Sequence, residues 1–115
     1  MVPGTGCVRL NRPADVAVNT LMKYASAFLY PSWYEGFGIP LHEAAWFGTP
    51  CIASTSGALS ETAPKGTLFA PPFKPQLWTD ALRLVLQNPM NYRTETAPRD
   101  WSAAAEITAK AIRFR

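Results

Sequence analysis

The sequence predicts an α/β fold in which a short parallel sheet is flanked by helices. Short apolar runs at 27–30 and 51–53 are bounded by Pro, Gly or Ser, which is typical of strands buried in a parallel sheet. Segments with helical spacing lie between and after these runs, and strands that alternate with helices favour parallel pairing. Eleven prolines among 115 residues exclude a long coiled coil or an uninterrupted helical bundle.

The composition indicates one folded domain without a nucleic-acid-binding character. Hydrophobic residues make up 48% of the chain, which excludes global disorder. A net charge of +3 is too small for a typical nucleic-acid binder. The two cysteines, Cys7 and Cys51, form neither a disulfide framework nor a metal-ligand pattern. Because no apolar run has the length of a membrane span and residues 1–13 lack the apolar core of a signal peptide, we expect a cytoplasmic protein.

The first elements are a lead-in, a helix and a strand. Residues 1–14 are rich in Pro, Gly and Arg and are predicted to form a loose lead-in. Apolar spacing from Asp15 to Ala25 predicts a helix with Asp15 as its N-cap. The run 27–30 then predicts a strand buried on both faces.

A second helix and a second strand follow a Gly-rich turn. Pro40 suits the first helical position, where its missing N–H costs nothing. The helix is predicted to continue to Phe47 and to end at the Gly-Thr-Pro of 48–50. In the strand 51–53, Cys51 is expected to be a small buried hydrophobe.

The second half of the chain is predicted to be mainly helical. Asp100 or Ser102 is expected to cap the last helix, and apolar residues at helical spacing predict a core-facing stripe on the helix before it. The stripe comprises Leu77, Trp78, Ala81, Leu82, Val85 and Leu86. The predicted elements are a polar loop with one helical turn over 54–65, a strand over 67–70, and helices over 76–87, 90–96 and 101–115.

Three short strands make a narrow sheet for a domain with helices on both faces. A doubly wound domain usually contains more strands. We therefore expect residues 15–115 to be the back half of a larger domain, preceded by the lead-in of residues 1–14.

The turn between the first strand and the second helix is the segment most suited to chemistry. The first N–H groups of a helix lack intrahelical partners and lie at the positive end of its dipole, so such a turn favours phosphate or diphosphate. Gly36 and Gly38 are expected to allow close approach of an anion and unusual dihedrals. The candidate N–H donors are those of Phe37, Gly38, Ile39 and Leu41.

Two carboxylates flank this turn. Glu35 precedes the helix and Glu43 lies about one turn inside it, so the pair is spaced along a ligand instead of sharing one proton. Carboxylates accept hydrogen bonds from hydroxyls, and a sugar nucleotide carries hydroxyls on both sides of its diphosphate. The alternative is purely structural, because Gly-rich turns are common before helices and Glu near a helix N-terminus is stabilising.

A specific sequence signature covers this turn. The pattern consists of two glutamates separated by seven residues, within PSWYEGFGIPLHEA at 31–44, followed by GTP at 48–50. This pattern resembles the C-terminal, donor-binding domain of the retaining GT-B glycosyltransferases known as group 1 or family 4. The match extends over 19–64, and the segment 76–86 resembles the helix that follows in the family.

The resemblance implies a partial Rossmann-like fold, the GT-B C-terminal half, and transfer of a hexose from a nucleotide-sugar donor to an acceptor hydroxyl with retention of anomeric configuration. It implies that Glu35 is the catalytic residue beside the reacting sugar carbon, that the backbone of Gly36, Phe37, Gly38 and Ile39 faces the sugar and diphosphate, and that Glu43 holds the ribose hydroxyls. Most members need no metal, and no cofactor is expected.

The chain also departs from the family pattern. It lacks the acceptor half and the early strands of the donor half, where the family carries an Arg and a Lys that grip the diphosphate. Arg9, Arg12 and Lys65 are interpreted as solvated surface charges. The chain is therefore an enzyme part, with a separate N-terminal-half chain as a candidate partner, or a non-catalytic binding or interaction module, or an inactive truncated fragment.

Several other residues have two interpretations. His42 is expected to be a surface or boundary histidine and not a catalytic base, whereas Trp33 and Tyr34 fit a sugar-stacking surface and the core equally well. Glu61 is expected to support its loop, and the segment 54–57 to be a plain turn or part of a ligand site at the sheet edge. The basic segment 110–115 is a solvated helix end, with a membrane surface as the weaker alternative.

Overall fold

The computed structural model describes residues 4–97 and 101–112 and confirms the α/β fold class. Three parallel strands form one sheet in the order β1-β2-β3, with helices before, between and after them. The elements in chain order are α1 (Asp15–Tyr24), β1 (Phe28–Tyr30), α2 (Ile39–Trp46), β2 (Cys51–Ser54), α3 (Leu59–Thr62), β3 (Leu68–Ala70), α4 (Pro75–Gln87), a 3₁₀ turn (Pro89–Tyr92) and α5 (Trp101–Ile112).

The central strand β2 organises the sheet. Ile52 pairs with Leu29 of β1 on one side and with Leu68 of β3 on the other. All four residues of β2 are buried, because it has a neighbouring strand on each side and is contacted by the helices α2 and α4. The carboxyl ends of the three parallel strands lie at one edge of the sheet, which we call the carboxyl edge; it is continued by the segments 31–38, 55–58 and 71–74.

The core lies mainly between the sheet and the helices α1, α2 and α3. Its members are the buried residues Met22, Leu41, Ala44, Cys51, Ala53 and Leu59. Helix α4 contacts β3 and β2 and buries Val85. Burial of apolar area in this way supplies most of the favourable free energy of folding.

The structure corrects the predicted boundaries of α1 and α2. The N-cap of α1 is Ala14, and Asp15 lies in the first turn, where its charge complements the helix dipole. Helix α2 begins at Ile39, so Pro40 occupies the second helical position and not the first. The helix ends at Trp46, and Phe47 is its C-cap ahead of the predicted stop at Gly48, whose φ is 73°.

The prediction that β1 is buried on both faces is wrong. Leu29 is 39% exposed, because β1 pairs only with β2 and the described residues place no further strand beside it. The isolated apolar run indicated a strand correctly but carried no information about how many neighbours that strand has.

The predicted apolar stripe of α4 is only partly packed. Val85 is buried, and Trp78 is half-buried with its indole Nε1–H donating to the carbonyl of Pro71 at 2.9 Å. Leu77 and Leu86 are 43% and 51% exposed, so their assignment to the core is wrong. The elements that α4 contacts, which are β3, β2 and the 3₁₀ turn, leave these two side chains largely uncovered.

The segment after α4 differs from the predicted weak helix over 90–96. Only the 3₁₀ turn at 89–92 is helical, and Glu95 then forms an antiparallel bridge with Lys65. The Thr94 hydroxyl donates to the carbonyl of Thr49 at 2.5 Å, and the Thr49 hydroxyl donates to the carbonyl of Met22 at 2.6 Å. The bridge at Glu95 and the hydrogen bond of Thr94 take the place of the helical hydrogen bonds that the sequence predicts for 93–96.

Helix α5 confirms the last predicted helix over its described part. Its residues are exposed, and Ser102 lies inside the helix, so Ser102 is not a cap. Lys110 pairs with Glu106 at 2.9 Å on the surface, as expected for a solvated helix. Asp100 and residues 113–115, which include part of the predicted basic end, lie outside the described residues.

Candidate functional site

The site is built on the turn from β1 to α2 at the carboxyl edge of the sheet. Gly38 is the N-cap of α2, with φ 76° and ψ 52°. A Cβ at this position would lie 2.7 Å from Leu59 Cδ2, so both the backbone and the packing require glycine. The left-handed cap lets the chain enter α2 directly from the turn, as the sequence predicts for Gly38.

The expectation for Gly36 is wrong in one respect. Its φ does not lie in the left-handed region, and a Cβ would meet open space. Gly36 therefore leaves room beside the turn without being required by the backbone. Among the four N–H donors proposed for this turn, that of Leu41 is also excluded, because it donates to the carbonyl of Gly38 at 3.0 Å within the helix.

Gly57, the last residue of the segment 54–57, packs against the turn after β1. It has φ 62°, and a Cβ there would lie 2.4 Å from the carbonyl oxygen of Glu35. The neighbouring Ala58 N–H donates to the same carbonyl at 3.1 Å. The turn after β2 thus fixes the backbone of Glu35, and this contact links two loops that are far apart in the chain.

The carboxylate of Glu35 is held at the carboxyl edge by β1. Its Oε2 accepts a hydrogen bond from the Tyr30 hydroxyl at 2.8 Å and a longer one from Ser32 Oγ at 3.4 Å. Burial, followed by this hydrogen bond and the charge of Glu35, raises the pKa of Tyr30 to about 12. The phenol therefore remains protonated and donates at neutral pH, which fixes one carboxylate oxygen and leaves Oε1 without a hydrogen bond within the described residues.

Glu43 lies one turn into α2 and is exposed to solvent. It lines a cavity of about 280 Å³, and a second cavity of about 270 Å³ lies on its other side next to α1. The first is lined by Phe37, Ile39, His42, Glu43, Trp46, Thr96 and Ala97, and the second by Asp15, Val18, Asn19 and Glu43. The structure thus brings Phe37, Ile39 and Glu43 together, whereas Glu35, Gly36 and Gly38 do not line these two cavities.

His42 is more constrained than a surface histidine. Its ring stacks on Phe37 with centroids 4.4 Å apart, its Nε2 lies 2.8 Å from the Thr62 carbonyl, and its Nδ1 lies 2.8 Å from the Thr96 hydroxyl. Because a carbonyl only accepts, Nε2 carries the proton, and Nδ1 of a neutral ring accepts from Thr96. His42 therefore joins α2 to α3 and to the segment after the 3₁₀ turn.

The aromatic residues that precede Glu35 are not part of the core. Trp33 is 70% and Tyr34 is 87% exposed, which removes core packing as an interpretation. The Trp33 ring packs edge-on against Phe73, from the loop after β3, with centroids 4.6 Å apart. Glu61 is exposed on α3, and the neighbouring Thr62 supplies the contacts to the turn that were expected of Glu61.

The segment that begins at Ser54 starts within the sheet and continues into the turn. Ser54 is the last residue of β2, and its hydroxyl donates to the carbonyl of Ser32. Thr55 N–H donates to the carbonyl of Ala70 at 3.3 Å, so the loops after all three strands are connected.

Neither a metal cluster nor a membrane span is found in the part of the chain that the structure describes. Over residues 4–97 and 101–112, three or more His, Cys, Asp or Glu side chains are nowhere grouped as metal ligands. Helices in the same ranges are too short or too polar to cross a membrane.

A comparison with models of protein families shows which family the chain belongs to. The model of the family "Glycosyl transferases group 1" matches residues 8–106 of the 115-residue chain. The chain belongs to this family. The match includes Glu35, Glu43, the turn between them and the three strands of this chain, and it confirms the resemblance found in the sequence.

Curated relatives of this group 1 chain carry glycosyltransferase names. The chain is 45% identical over 51 residues to O-antigen chain mannosyltransferase B of Escherichia coli, which covers 43% of this chain and 13% of that protein. It is 38% identical over 69 residues to O-antigen chain mannosyltransferase RfbU of Salmonella typhimurium, covering 60% of this chain and 20% of the relative. It is 35% identical over 82 residues to D-inositol 3-phosphate glycosyltransferase of Jonesia denitrificans, covering 69% of this chain and 19% of that protein.

The matched part of this chain is a small share of these longer proteins, between 13% and 20% of their length. No solved structure matches the chain.

Proposed function

We propose that this chain is the donor-binding part of a glycosyltransferase that moves a hexose from a nucleotide-sugar donor to an acceptor hydroxyl with retention of configuration. The observation that carries the proposal is the family match over the turn of Glu35 to Glu43, joined to a helix N-terminus whose cap is a left-handed glycine. In this proposal residues 15–115 are an incomplete donor domain and residues 1–14 lead into it.

The proposed roles follow from charge and geometry. The N–H groups at the start of α2 stabilise the diphosphate as it departs, because they lie at the positive end of the helix dipole. The carboxylate of Glu35, oriented by Tyr30, lies near the sugar carbon and stabilises the positive charge that develops there. Glu43 accepts hydrogen bonds from the ribose hydroxyls, and its exposure leaves it accessible to them.

Mannose is the first sugar to test. Three of the relatives are named mannosyltransferases, and two others are named D-inositol 3-phosphate glycosyltransferases. The donor proposed for the initial experiment is therefore GDP-mannose, with UDP, GDP and ADP as simpler ligands. The acceptor is left open.

The acceptor side is proposed to come from polypeptide outside these 115 residues, either in a longer chain or in a separate N-terminal-half chain. The small share of the relatives that this chain covers supports this part of the proposal. In the same proposal the chain alone binds the donor and does not complete a transfer.

Isothermal titration calorimetry of the chain with UDP, GDP, ADP and GDP-mannose tests the proposal. At least one nucleotide is expected to bind, and Glu43→Gln is expected to weaken it about tenfold, the usual loss for a hydrogen bond to a charged group. Glu106→Gln is the matched control, because Glu106 is an exposed glutamate paired with Lys110 on α5. Absence of binding to all four ligands, or equal binding by Glu43→Gln and Glu106→Gln, would contradict the proposal.

A further inference from the structure

Thr62 on α3 holds the backbone of the turn. Its hydroxyl lies 2.9 Å from the carbonyl oxygen of Phe37 and 3.2 Å from that of Gly36, with the carbonyl of Ala58 in its own helix at 3.1 Å. The shortest of these contacts is to Phe37, in the middle of the turn. Thr62 therefore has a contact outside its own helix that an ordinary helical threonine does not make.

This contact determines the direction of the next amide. The peptide bonds of the described residues are all trans, and in a trans peptide the C=O and the N–H point in opposite directions. With the Phe37 carbonyl turned toward α3, the N–H of Gly38 points away from α3. That N–H belongs to the N-cap of α2, one of the groups that a helix leaves without an intrahelical partner.

His42 anchors Thr62 from the other side. Its Nε2–H donates to the Thr62 carbonyl at 2.8 Å, while its ring stacks on Phe37 with an interplanar angle of 8°. The three residues form a closed set of contacts: His42 to Thr62, Thr62 to Phe37, and Phe37 back to His42. Thr96 fixes the remaining ring nitrogen at 2.8 Å, so the ring cannot turn without losing a hydrogen bond.

We propose that Thr62 and His42 are positioning residues that aim the Gly38 amide at the diphosphate of the nucleotide donor. The inference rests on the proposed function, since it concerns the same turn. Thr62 and His42 act on the Gly38 amide through the backbone of the turn and not by contact with the ligand. Their effect is to hold a hydrogen-bond donor in its productive direction before the ligand arrives, which reduces the cost of ordering the turn on binding.

The experiment compares substitutions that separate the Thr62 hydroxyl from its shape. Thr62→Val keeps the branched shape and removes the hydroxyl, whereas Thr62→Ser keeps the hydroxyl. Thr79→Val is the matched control, because Thr79 makes a comparable bond to Pro75, four residues earlier, on exposed α4. Calorimetry with UDP, GDP and ADP is expected to show about three- to tenfold weaker binding for Thr62→Val and no change for Thr62→Ser and Thr79→Val.

A second pair of variants tests His42. His42→Phe keeps a ring to stack on Phe37 and loses both hydrogen bonds, whereas His42→Gln retains a donor near the position of Nε2. We expect His42→Phe to weaken nucleotide binding to a similar degree as Thr62→Val, and His42→Gln to recover at least part of the loss. Melting curves followed by circular dichroism identify any variant that does not fold. If a variant of one residue does not fold, the variants of the other residue test the positioning role.

A measurement without ligand makes the two proposals separable. The ¹⁵N order parameter of Gly38 is expected to be near 0.85 in the wild-type chain and Thr62→Ser, and to fall below about 0.6 in Thr62→Val. If the wild-type chain binds none of the nucleotides, the proposed function fails. If it binds and Thr62→Val binds equally well, or if Gly38 stays rigid in Thr62→Val, the positioning role of Thr62 and His42 is overturned while the proposed function stands.

Discussion

Helices α2 and α4 both carry apolar residues, but the sheet covers them very differently. Helix α2 has eight residues and buries Leu41, Ala44 and Ala45. Helix α4 has thirteen residues and buries only Val85. Helix α2 packs against β1, β2 and α1, whereas α4 packs against β3, β2 and the 3₁₀ turn at 89–92. Burial on a helix therefore follows which elements cover it and not the regularity of its apolar stripe.

This difference also explains where the candidate site lies. The well-packed start of α2 holds the turn in one conformation, through Gly38 against Leu59 and through the contacts of Thr62. A helix N-terminus binds an anion more tightly when its N–H groups are already oriented, because binding then requires no further ordering of the turn. The surface of α4 is more open, and Leu77 and Leu86 are exposed on it.

The largest effect is expected at the centre of the α2 contact. Leu41 is fully buried between α2 and the sheet, so Leu41→Ala removes buried apolar area and leaves a cavity. Such a change costs about 2–5 kcal/mol of the free energy of unfolding. Urea denaturation of the wild-type chain and the variant measures it, and a loss below about 1 kcal/mol would show that α2 is not tightly packed.

The second prediction concerns Cys51, which lies under α2 in the same core. Burial raises the pKa of this thiol from 9.0 to about 11, and a hydrogen bond with Thr94 partly opposes the shift. Because the folded-state value exceeds the unfolded one, the stabilisation is complete below about pH 9 and is lost as the pH rises toward 11. Two pKa units correspond to about 2.7 kcal/mol at most.

The free energy of unfolding of the wild-type chain and of Cys51→Ala, measured between pH 8 and about pH 11, isolates this contribution. Other groups, including Tyr30, titrate in the alkaline range, so the comparison uses the difference between the two curves. Wild type is expected to lose stability more steeply than Cys51→Ala. Parallel curves would show that Cys51 titrates normally and is accessible to water.

The smallest effect is expected on α4. Leu86 is 51% exposed, so Leu86→Ala removes little buried area and is expected to change the free energy of unfolding by less than about 0.5 kcal/mol. The same urea experiment measures it beside Leu41→Ala. A loss as large as that of Leu41→Ala would mean that α4 is covered in solution, for example by a second molecule, and would remove the contrast between the helices.

The sequence predicts local features of this fold well, because the signals are local. Pro and Gly mark the start and end of α2, and the short apolar runs mark β1, β2 and β3. The two glutamates and the turn between them are recognisable from the signature at 31–44 and its resemblance to a known family, and not from the spacing alone. Gly38 has the left-handed cap that its position in the turn predicts.

The missed features depend on contacts between distant parts of the chain. Gly57 packs on the backbone of Glu35, Thr62 binds the Phe37 carbonyl, and Thr96 binds His42, each across 20 or more residues. The spacing of apolar residues along the chain does not reveal contacts between distant segments. The exposure of Leu77 depends in the same way on which elements cover α4, and the amphipathic pattern is the same whether or not a neighbour is present.

In the proposed function, the N–H groups at the start of α2 bind the diphosphate of a nucleotide sugar. The most direct test is a ¹H–¹⁵N NMR titration of the chain with GDP and GDP-mannose. The amide resonances of Gly38 and Ile39 are expected to shift most, with saturation at one ligand per chain, while those of α4 stay unchanged. Shifts confined to other segments, or no shift at either amide when ligand binds, would contradict it.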